Sequence, residues 1–331
     1  MKTPLFVGLT YDRIADYIFD ENAPEDQYGE FDSDETIDRL ETAISQLGYS
    51  VCRIGNMQGL VAFLAAGQNV DVVFNIAEGR WGRNRESQIP ALLEAYAIPY
   101  TFSDPLTLGI CLDKAFTKQI WQQAGLSVNP FCLVDSAADF RAPLEAGLQF
   151  PLFVKPLREG SSKGVRQESL VETAEELQTQ IERVVTAYQQ PALVEEFLPG
   201  REFTVGVVGS GASARVLGAL EVPYVEVCKV NGFAQKRDDV WKTYTQIAPG
   251  DELDKLADLS LRAYQVLGCR DAGRLDLRMD RHGQPQLMEI NTLPGLSAHS
   301  ALPLIAANAG LTFVMLLAEI IDGALARGPG F

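Results

Sequence analysis

The segment from Gly273 to Asn291, GRLDLRMDRHGQPQLMEIN, sets two alternating runs around Arg281-His282-Gly283-Gln284. A two-residue loop at His282-Gly283 would make it a hairpin in which Asp276 faces Glu289 and Arg274 faces Asn291. Period-two alternation then puts those four side chains on one face and turns Leu275, Leu277, Met279, Met288 and Ile290 toward a core. Two carboxylates and an amide oxygen are hard ligands that suit Mg²⁺, which fills its remaining positions with phosphate oxygens and water. The same alternation also describes an ordinary sheet with one solvated face.

A second group of residues lies in Phe153 to Gly164, FVKPLREGSSKG. An apolar strand delivers Lys155 and breaks at Glu159 into Gly160-Ser161-Ser162, whose small side chains let backbone N–H groups approach phosphate oxygens. The pattern is neither a Walker A loop nor a dinucleotide-binding glycine motif, and a flexible turn has the same composition. In a third stretch, ALVEEFLPGREFTV, two strand-like runs bring Glu195, Glu196 and Glu202 near a glycine turn, where carboxylates can accept hydrogen bonds from a ribose or form an exposed charged edge.

These segments need a scaffold, and the 331-residue chain, 47% hydrophobic, is long enough for two or three domains with a substantial core. The first third alternates apolar runs at 5–10, 50–54 and 71–76 with helical spacing. Ile37, Leu40, Ala43, Ile44 and Leu47 form one helical stripe, opened by Ser33, Asp34 and Glu35 and closed by Gly48. The expected class is α/β, with a parallel unit first. A helix over Glu86–Tyr96, a strand over Ile98–Tyr100 and a helix over Asp113–Ala124 follow. The middle third reads as a second α/β domain, in which the runs at 192–197 and 201–208 join a small mixed sheet with a helix at 173–187. A strand at 216–222, a polar connection at 228–245, a helix over Asp251–Leu267, the hairpin and a terminal helix complete the chain. No repeat is present.

A net charge of -16 argues against nucleic acid or an anionic membrane as partner, since both reward basic surfaces. No run of about 18 apolar residues occurs. The N-terminal MKTPLFVGLTYD has no signal-peptide pattern, which leads to an expectation of a cytoplasmic protein. Cys52, Cys111, Cys132, Cys228 and Cys269 are odd in number, widely spaced and in apolar contexts, as reduced structural cysteines are.

The motifs EGSSKGV, VEEFLPGREFTV, GRLDL and MEINTLPGLSAHSALP, with FNIAEGRWG, LLEAYAIPYT and CLDKAFTK upstream, resemble D-alanine:D-alanine ligases in order and spacing over about residues 70–320. That resemblance implies the three-domain ATP-grasp fold, divided at 1–107, 108–209 and 210–331, with ATP between the second and third domains. It implies Lys114 and Lys155 as phosphate-binding lysines beside Glu159, Gly160, Ser161 and Ser162, with Ser161 also facing the chemistry. It implies Glu195, Glu196 and Glu202 on the ribose and adenine side and Phe197 and Leu198 in the adenine pocket. Asp276, Glu289 and Asn291 become ligands of Mg²⁺, with Mn²⁺ as a substitute. Lys236 resembles the lysine of a mobile loop over the site. Arg274 and the backbone of Gly295 resemble the groups that stabilise a tetrahedral intermediate, and Ser300 the binder of the second substrate's carboxylate. A homodimer is the family expectation.

The resemblance fails in the first-substrate pocket. The Gly-Gly-x-Ser-x-Glu turn, whose Glu holds the first substrate's ammonium, has no counterpart in GLTYDRIADYIFD. The family's His-Gly-x-x-Gly-Glu-Asp-Gly becomes Glu78 to Arg85, and a loop tyrosine becomes Arg237. With Arg80, Arg83, Arg85 and Arg237 beside Glu78, this pattern predicts an anionic acid acceptor without a free α-amine, condensed with an amino-acid amine donor. Enzymes that join mycosporine-glycine to serine or threonine resemble that logic. An arginine paired with Glu78, Glu86 or Asp238 would instead bind nothing. The alternatives are a D-alanine:D-alanine or other dipeptide ligase, an ATP-grasp kinase, and a nucleotide-binding protein without catalysis.

Overall fold

The computed structural model describes residues 4–18, 23–223 and 244–328; Lys236 and Arg237 lie outside them. The N-terminal region contains β1 (Phe6–Thr10), α1 (Asp34–Gln46), β2 (Ser50–Gly55), α2 (Met57–Ala65) and β3 (Val72–Asn75). Its sheet is parallel in the order β2-β1-β3, as the alternation of apolar runs and helices requires. The Ser33 hydroxyl accepts from the Thr36 N–H at 3.3 Å to start α1, which buries Ile37, Leu40, Ala43 and Ile44 along one face. The strand expected at 98–100 is a single parallel bridge between Val73 and Tyr100. Pro99 accepts there from Val73 but has no N–H to extend the ladder.

α3 (Gln88–Ala95), α4 (Pro105–Leu112) and α5 (Lys114–Gln123) lead out of this region. Asp104 caps α4 by accepting from the Thr107 N–H at 3.0 Å, with Pro105 in the first turn where no N–H is needed. Asp113 closes α4 and caps α5, so Lys114 stands at the first position of a helix whose start is fixed by its neighbour.

The middle region holds β4 (Phe131–Val134), α6 (Ala142–Glu145), β5 (Leu152–Pro156), β6 (Leu170–Val171), α7 (Ala174–Tyr188) and β7 (Ala192–Glu196). Its strand order is β4-β7-β5-β6, and every pair is antiparallel rather than mixed. The C-terminal region adds β8 (Glu202–Val208), β9 (Arg215–Val222), β10 (Thr245–Gln246), α8 (Asp251–Val266), β11 (Ala272–Met279), β12 (Pro285–Asn291), α9 (Ala301–Asn308) and α10 (Phe313–Arg327). β8 does not join the middle sheet as its sequence suggests; it is the centre of the order β10-β9-β8-β11-β12. The redirection happens at Gly200, whose N–H donates to the Met279 carbonyl at 3.0 Å. A Cβ there would lie 2.7 Å from that carbonyl oxygen, so only glycine lets the chain cross this close to β11.

The terminal apolar stretch is two helices, α9 and α10, bent by 106°, rather than one. Among the described residues no single helix is long and apolar enough to cross a membrane. α10 returns to the N-terminal region, where Leu316, Leu317 and Ile320 share a core with Ile37, Leu40 and Val7. Cys111 and Cys269 are buried, Cys52 and Cys132 half-buried, and all four are free thiols.

A buried ion pair reinforces this return. Asp271 is fully buried and accepts from the Phe102 N–H at 2.7 Å, from Arg327 Nη2 at 2.9 Å and from the Ser210 hydroxyl at 3.3 Å. Replacing only the charge should therefore be costly: Asp271→Asn is expected to lower unfolding free energy by about 3 kcal/mol, because Arg327 keeps its charge and loses its partner. Equilibrium urea denaturation of the two proteins reads this directly; an unchanged midpoint would show that the pair does not tie the regions together.

Candidate active site

The middle and C-terminal sheets, with part of the N-terminal region, enclose a cavity of about 400 Å³. β11 and β12 form its floor. Arg274 pairs with Asn291 and Asp276 with Glu289, as the hairpin pattern predicts. Beyond them the register shifts by one residue, so that Leu277 pairs with Leu287 and Met279 with Pro285. The turn is correspondingly longer than two residues: the Gly283 N–H donates to Asp280 and the Asp280 N–H to Gln284, with Gly283 at φ 71°. This bulge reverses two side chains. Leu287, not Met288, enters the core, and Met288 lines the cavity.

The charges on the floor are arranged in opposition. Arg274 Nη2 lies 2.9 Å from Asp276 Oδ2, and Lys114 Nζ lies 3.5 Å from Glu289 Oε2. Lys114 also donates to the Glu159 carbonyl at 2.6 Å, which places its ammonium between the glycine-serine loop and the carboxylate pair. Among the described residues Arg274 Nε, Asn291 Nδ2 and Thr204 Oγ1 are buried without a partner. Buried polar atoms are ordinarily satisfied, so three orphans on one cavity wall mark a place shaped for a polar ligand. Among the described residues no cluster of three or more His, Cys, Asp or Glu is arranged around a metal position. A metal here would rest on Asp276, Glu289 and the Asn291 amide, with ligand oxygens for the rest, a set suited to Mg²⁺.

The loop after β5 closes one side. Ser161 and Ser162 hold φ of 49° and 59°, conformations that turn successive backbone N–H groups the same way. Glu159, Gly160, Ser161, Ser162 and Lys163 line the cavity. Gly295 and Ser300 line its far wall, and a Cβ on Gly295 would lie 2.8 Å from the Ser300 hydroxyl and displace it.

Other expected residues stand elsewhere. Glu195 is 3% exposed, with Lys118 and Lys155 each 2.8 Å from its carboxylate. Burial pushes the Glu195 carboxyl up, but the two ammoniums more than offset this and hold it below the usual range. It positions Lys155, which reaches the cavity, and does not itself face a ribose. Lys118, which sequence reasoning missed, is fully buried and carries no motif signal beyond its place four residues after Lys114. Glu196 accepts from the Gln149 N–H at 3.1 Å outside the cavity, and Phe197 lies beneath the Arg278 guanidinium at 4.7 Å. Leu198 is buried and also off the wall. Glu202 does line the cavity, beside Arg278 at 3.5 Å, and the apolar surface there comes from Phe153, Val222, Met288 and Ile290.

The arginine reading is corrected for Arg80, Arg83 and Arg85, while Arg237 lies outside the described residues. Arg80 stacks on Trp81 at 4.6 Å and on Tyr17 at 5.3 Å; Arg83 reaches Asp113 at 3.2 Å and Phe116 at 5.0 Å. Arg85 is buried against Glu30 at 2.7 Å. None of the three lines the cavity; Glu30, Asp32, Glu78 and Glu86 do. Glu30 and Asp32 follow the turn whose acid seemed missing, and no motif marked them. Glu30 accepts from the Gly160 N–H at 2.6 Å and from Lys163 at 3.0 Å, so an N-terminal carboxylate anchors the glycine-serine loop. Burial pushes Glu30 up, but Arg85 and Lys163 more than offset it and keep the group below the usual carboxylate range. Glu86 lacks such a partner, and burial, with Glu30 adding to it, raises its carboxyl to about 7 despite Arg85.

Comparison with known proteins agrees with this geometry. The family model for the C-terminus of D-ala D-ala ligase matches residues 120–322. A D-alanine–D-alanine ligase of Bordetella petrii is 34% identical over 274 residues, 81% of this chain and 79% of the relative. The uncharacterised protein y4sG of Sinorhizobium fredii is 32% identical over 305 residues, 88% of this chain and 87% of its own length. The crystal structure of D-alanine–D-alanine ligase from Bacillus anthracis complexed with ATP superposes with a TM-score of 0.74 at 21% identity, covering 98% of both chains. The chain therefore belongs to the D-alanine–D-alanine ligase family and is an ATP-dependent, ADP-forming carbon–nitrogen ligase with the ATP-grasp fold.

Proposed function

We propose that the protein joins two amino acids, transferring the γ-phosphoryl group of ATP to the carboxylate of one and displacing it with the amine of the other. The observation that carries this is the division of the cavity: Lys114, Lys155 and Arg274 lie with the metal-type carboxylates, and Glu78 and Glu86 lie on the N-terminal side. A zwitterion fits that division with its carboxylate toward the cations. An anionic acceptor such as mycosporine-glycine loses the support of Arg80, Arg83 and Arg85, which are committed to ring faces, Asp113 and Glu30. D-alanine–D-alanine ligation, the activity named for the Bordetella petrii relative, is the reference reaction. ATP as co-substrate fits a cytoplasmic setting, and a homodimer belongs to the same reading.

The carboxylate oxygen takes the phosphoryl group and ADP leaves. The neutral amine then attacks the acyl carbon, forming the C–N bond, expelling inorganic phosphate and losing a proton. Mg²⁺ held by Asp276, Glu289 and Asn291 would neutralise phosphate charge. Lys114 would cancel charge on the transferring group from its place beside the loop. Arg274, with its Nε unpartnered, and the Gly295 N–H would receive the developing oxyanion, each donor contributing about 3 kcal/mol. Ser300 at the start of α9 would hold the carboxylate of the amine donor.

Phosphate release measured across a panel of D- and L-amino acids tests the reading; no release with any pair, ATP being bound, would sink it. Two substitutions separate chemistry from scaffold. Glu289→Gln should cut phosphate release by about 10³-fold or more while leaving stability within about 0.5 kcal/mol, since it removes a ligand charge and opens no cavity. Glu195→Gln should instead lower unfolding free energy by about 3 kcal/mol, because Lys118 and Lys155 lose their shared counter-charge. Thermal denaturation beside the activity assay distinguishes the two, and a stable, inactive Glu195→Gln protein would return Glu195 to the ligand-binding residues.

A further inference from the structure

The stretch between β12 and α9, residues 292–300, carries both Gly295 and Ser300 and belongs to no helix or strand. Its internal backbone hydrogen bond, from the Ser300 N–H to the Ser297 carbonyl at 3.3 Å, leaves the rest of its order to side chains. Ser297 Oγ and Ser300 Oγ lie 2.8 Å apart, and Gly295 abuts them, since a Cβ on it would come within 2.8 Å of Ser300 Oγ. Leu293 and Leu296 sink into the core that α1 and α10 share. Leu296 is only 2% exposed, so its carbonyl needs a partner from within the protein. Among the described residues no backbone N–H supplies one. Arg39 does: from the middle of α1 its Nη1 donates to the Leu296 carbonyl at 2.5 Å.

The guanidinium is itself held, 3.4 Å over the ring of Phe313 at the first position of α10. It does not line the cavity, and among the described residues it enters no ion pair, so its one hydrogen bond goes to this loop. The carbonyl it grips belongs to the planar Leu296–Ser297 peptide. Fixing that plane fixes where Ser297 starts, and Ser297 meets Ser300 twice, through its hydroxyl and through its carbonyl. Gly295 is the neighbour on the other side. We propose that Arg39 is a positioning residue for the amine-donor half of the reaction, setting Ser300 for the donor's carboxylate and the Gly295 N–H for the oxyanion by holding the Leu296–Ser297 peptide. This rests on the ligase reading for the roles of Gly295 and Ser300; the contact itself does not.

Two variants of the full chain separate the donor from the bulk of the side chain. Arg39→Met keeps an unbranched apolar stem over Phe313 and loses the hydrogen bond, and Arg39→Lys keeps a charged donor. In the phosphate-release assay Arg39→Met should raise the Michaelis constant of the amine donor about tenfold and lower kcat, while that of ATP moves less than about threefold. Arg39→Lys should recover most of the loss. Hydrogen–deuterium exchange of residues 292–300 should be about tenfold faster in Arg39→Met, with α1 and α10 unchanged. An unchanged donor constant, or equal rises for donor and ATP, overturns the proposal. So does faster exchange spread evenly over α1, α10 and the loop with a lowered melting midpoint, which would give Arg39 to the fold alone. Faster exchange confined to 292–300 in a protein that releases no phosphate with any amino-acid pair would overturn the ligase reading and keep Arg39 as the fastening of the loop. Normal phosphate release in the unaltered protein with no change in Arg39→Met would do the reverse.

Discussion

Asp276 and Glu289 stand directly opposite each other on adjacent antiparallel strands, an arrangement in which two like charges repel. Everything around the cavity answers that repulsion. Arg274 lies two residues before Asp276 on the same face of β11 and closes on it. Lys114 approaches Glu289 from α5, and its reach depends on Asp113 starting the helix one residue earlier. These two cations flank the pair, and among the described residues Arg274 Nε, Asn291 Nδ2 and Thr204 Oγ1 have no partner. A polyphosphate with its metal would supply acceptors for those donors and a cation for the carboxylates. The strain of holding two carboxylates together is the stored cost of a site ready for that ligand.

The same logic repeats at smaller scale. Lys118 and Lys155 converge on Glu195, which has no other role visible in the fold than to let two ammoniums sit in the core. Burial pushes Lys118 below the usual lysine range even with Glu195 beside it, whereas Lys155 is held above it, because Glu195 and Glu289 together outweigh its burial. The lysine that reaches the cavity is thus the one whose ammonium form its surroundings favour more strongly. Glu30 does the corresponding work for the glycine-serine loop, fixing Gly160 and Lys163 and linking the loop to the N-terminal segment that carries Asp32. Movement of the loop would break two charge-assisted contacts to Glu30, from the Gly160 N–H and Lys163, so the loop and the N-terminal region are coupled through one carboxylate.

Legibility in the sequence followed from how local each feature is. The parallel α/β start, the capped helices and the pairing of Asp276 with Glu289 depend on spacing within a few residues, and the pattern of residues 273–291 contained them. The bulge that sends Met288 to the cavity was not legible, since one extra residue in a ladder leaves alternation intact on both sides of it. The assignment of β8 to the C-terminal sheet turns on a close backbone approach at Gly200, which no propensity reports. The arginines of 80–85 misled for a different reason. Charge in sequence states what a segment carries, not what it has left over, and here Asp113, Glu30 and the faces of Tyr17 and Trp81 take up every guanidinium before the cavity is reached. Glu195 misled in the opposite sense, as an acid within a nucleotide-type motif whose charge is spent on the core.

The cavity consequently has a direction. Lysines and an arginine gather where phosphate and acyl oxygens would lie, and unpaired carboxylates gather on the N-terminal wall. In a site walled by protein the field between two such regions is screened far less than in water. On the proposed reading, a zwitterion entering it would be turned so that its carboxylate meets Lys114 and Arg274 and its ammonium meets the acidic N-terminal wall. Reversal would set carboxylate against carboxylate and ammonium against lysine, losing attraction at both ends together. On that reading, orientation of the reacting group is built into the charge distribution of the cavity before any side chain moves.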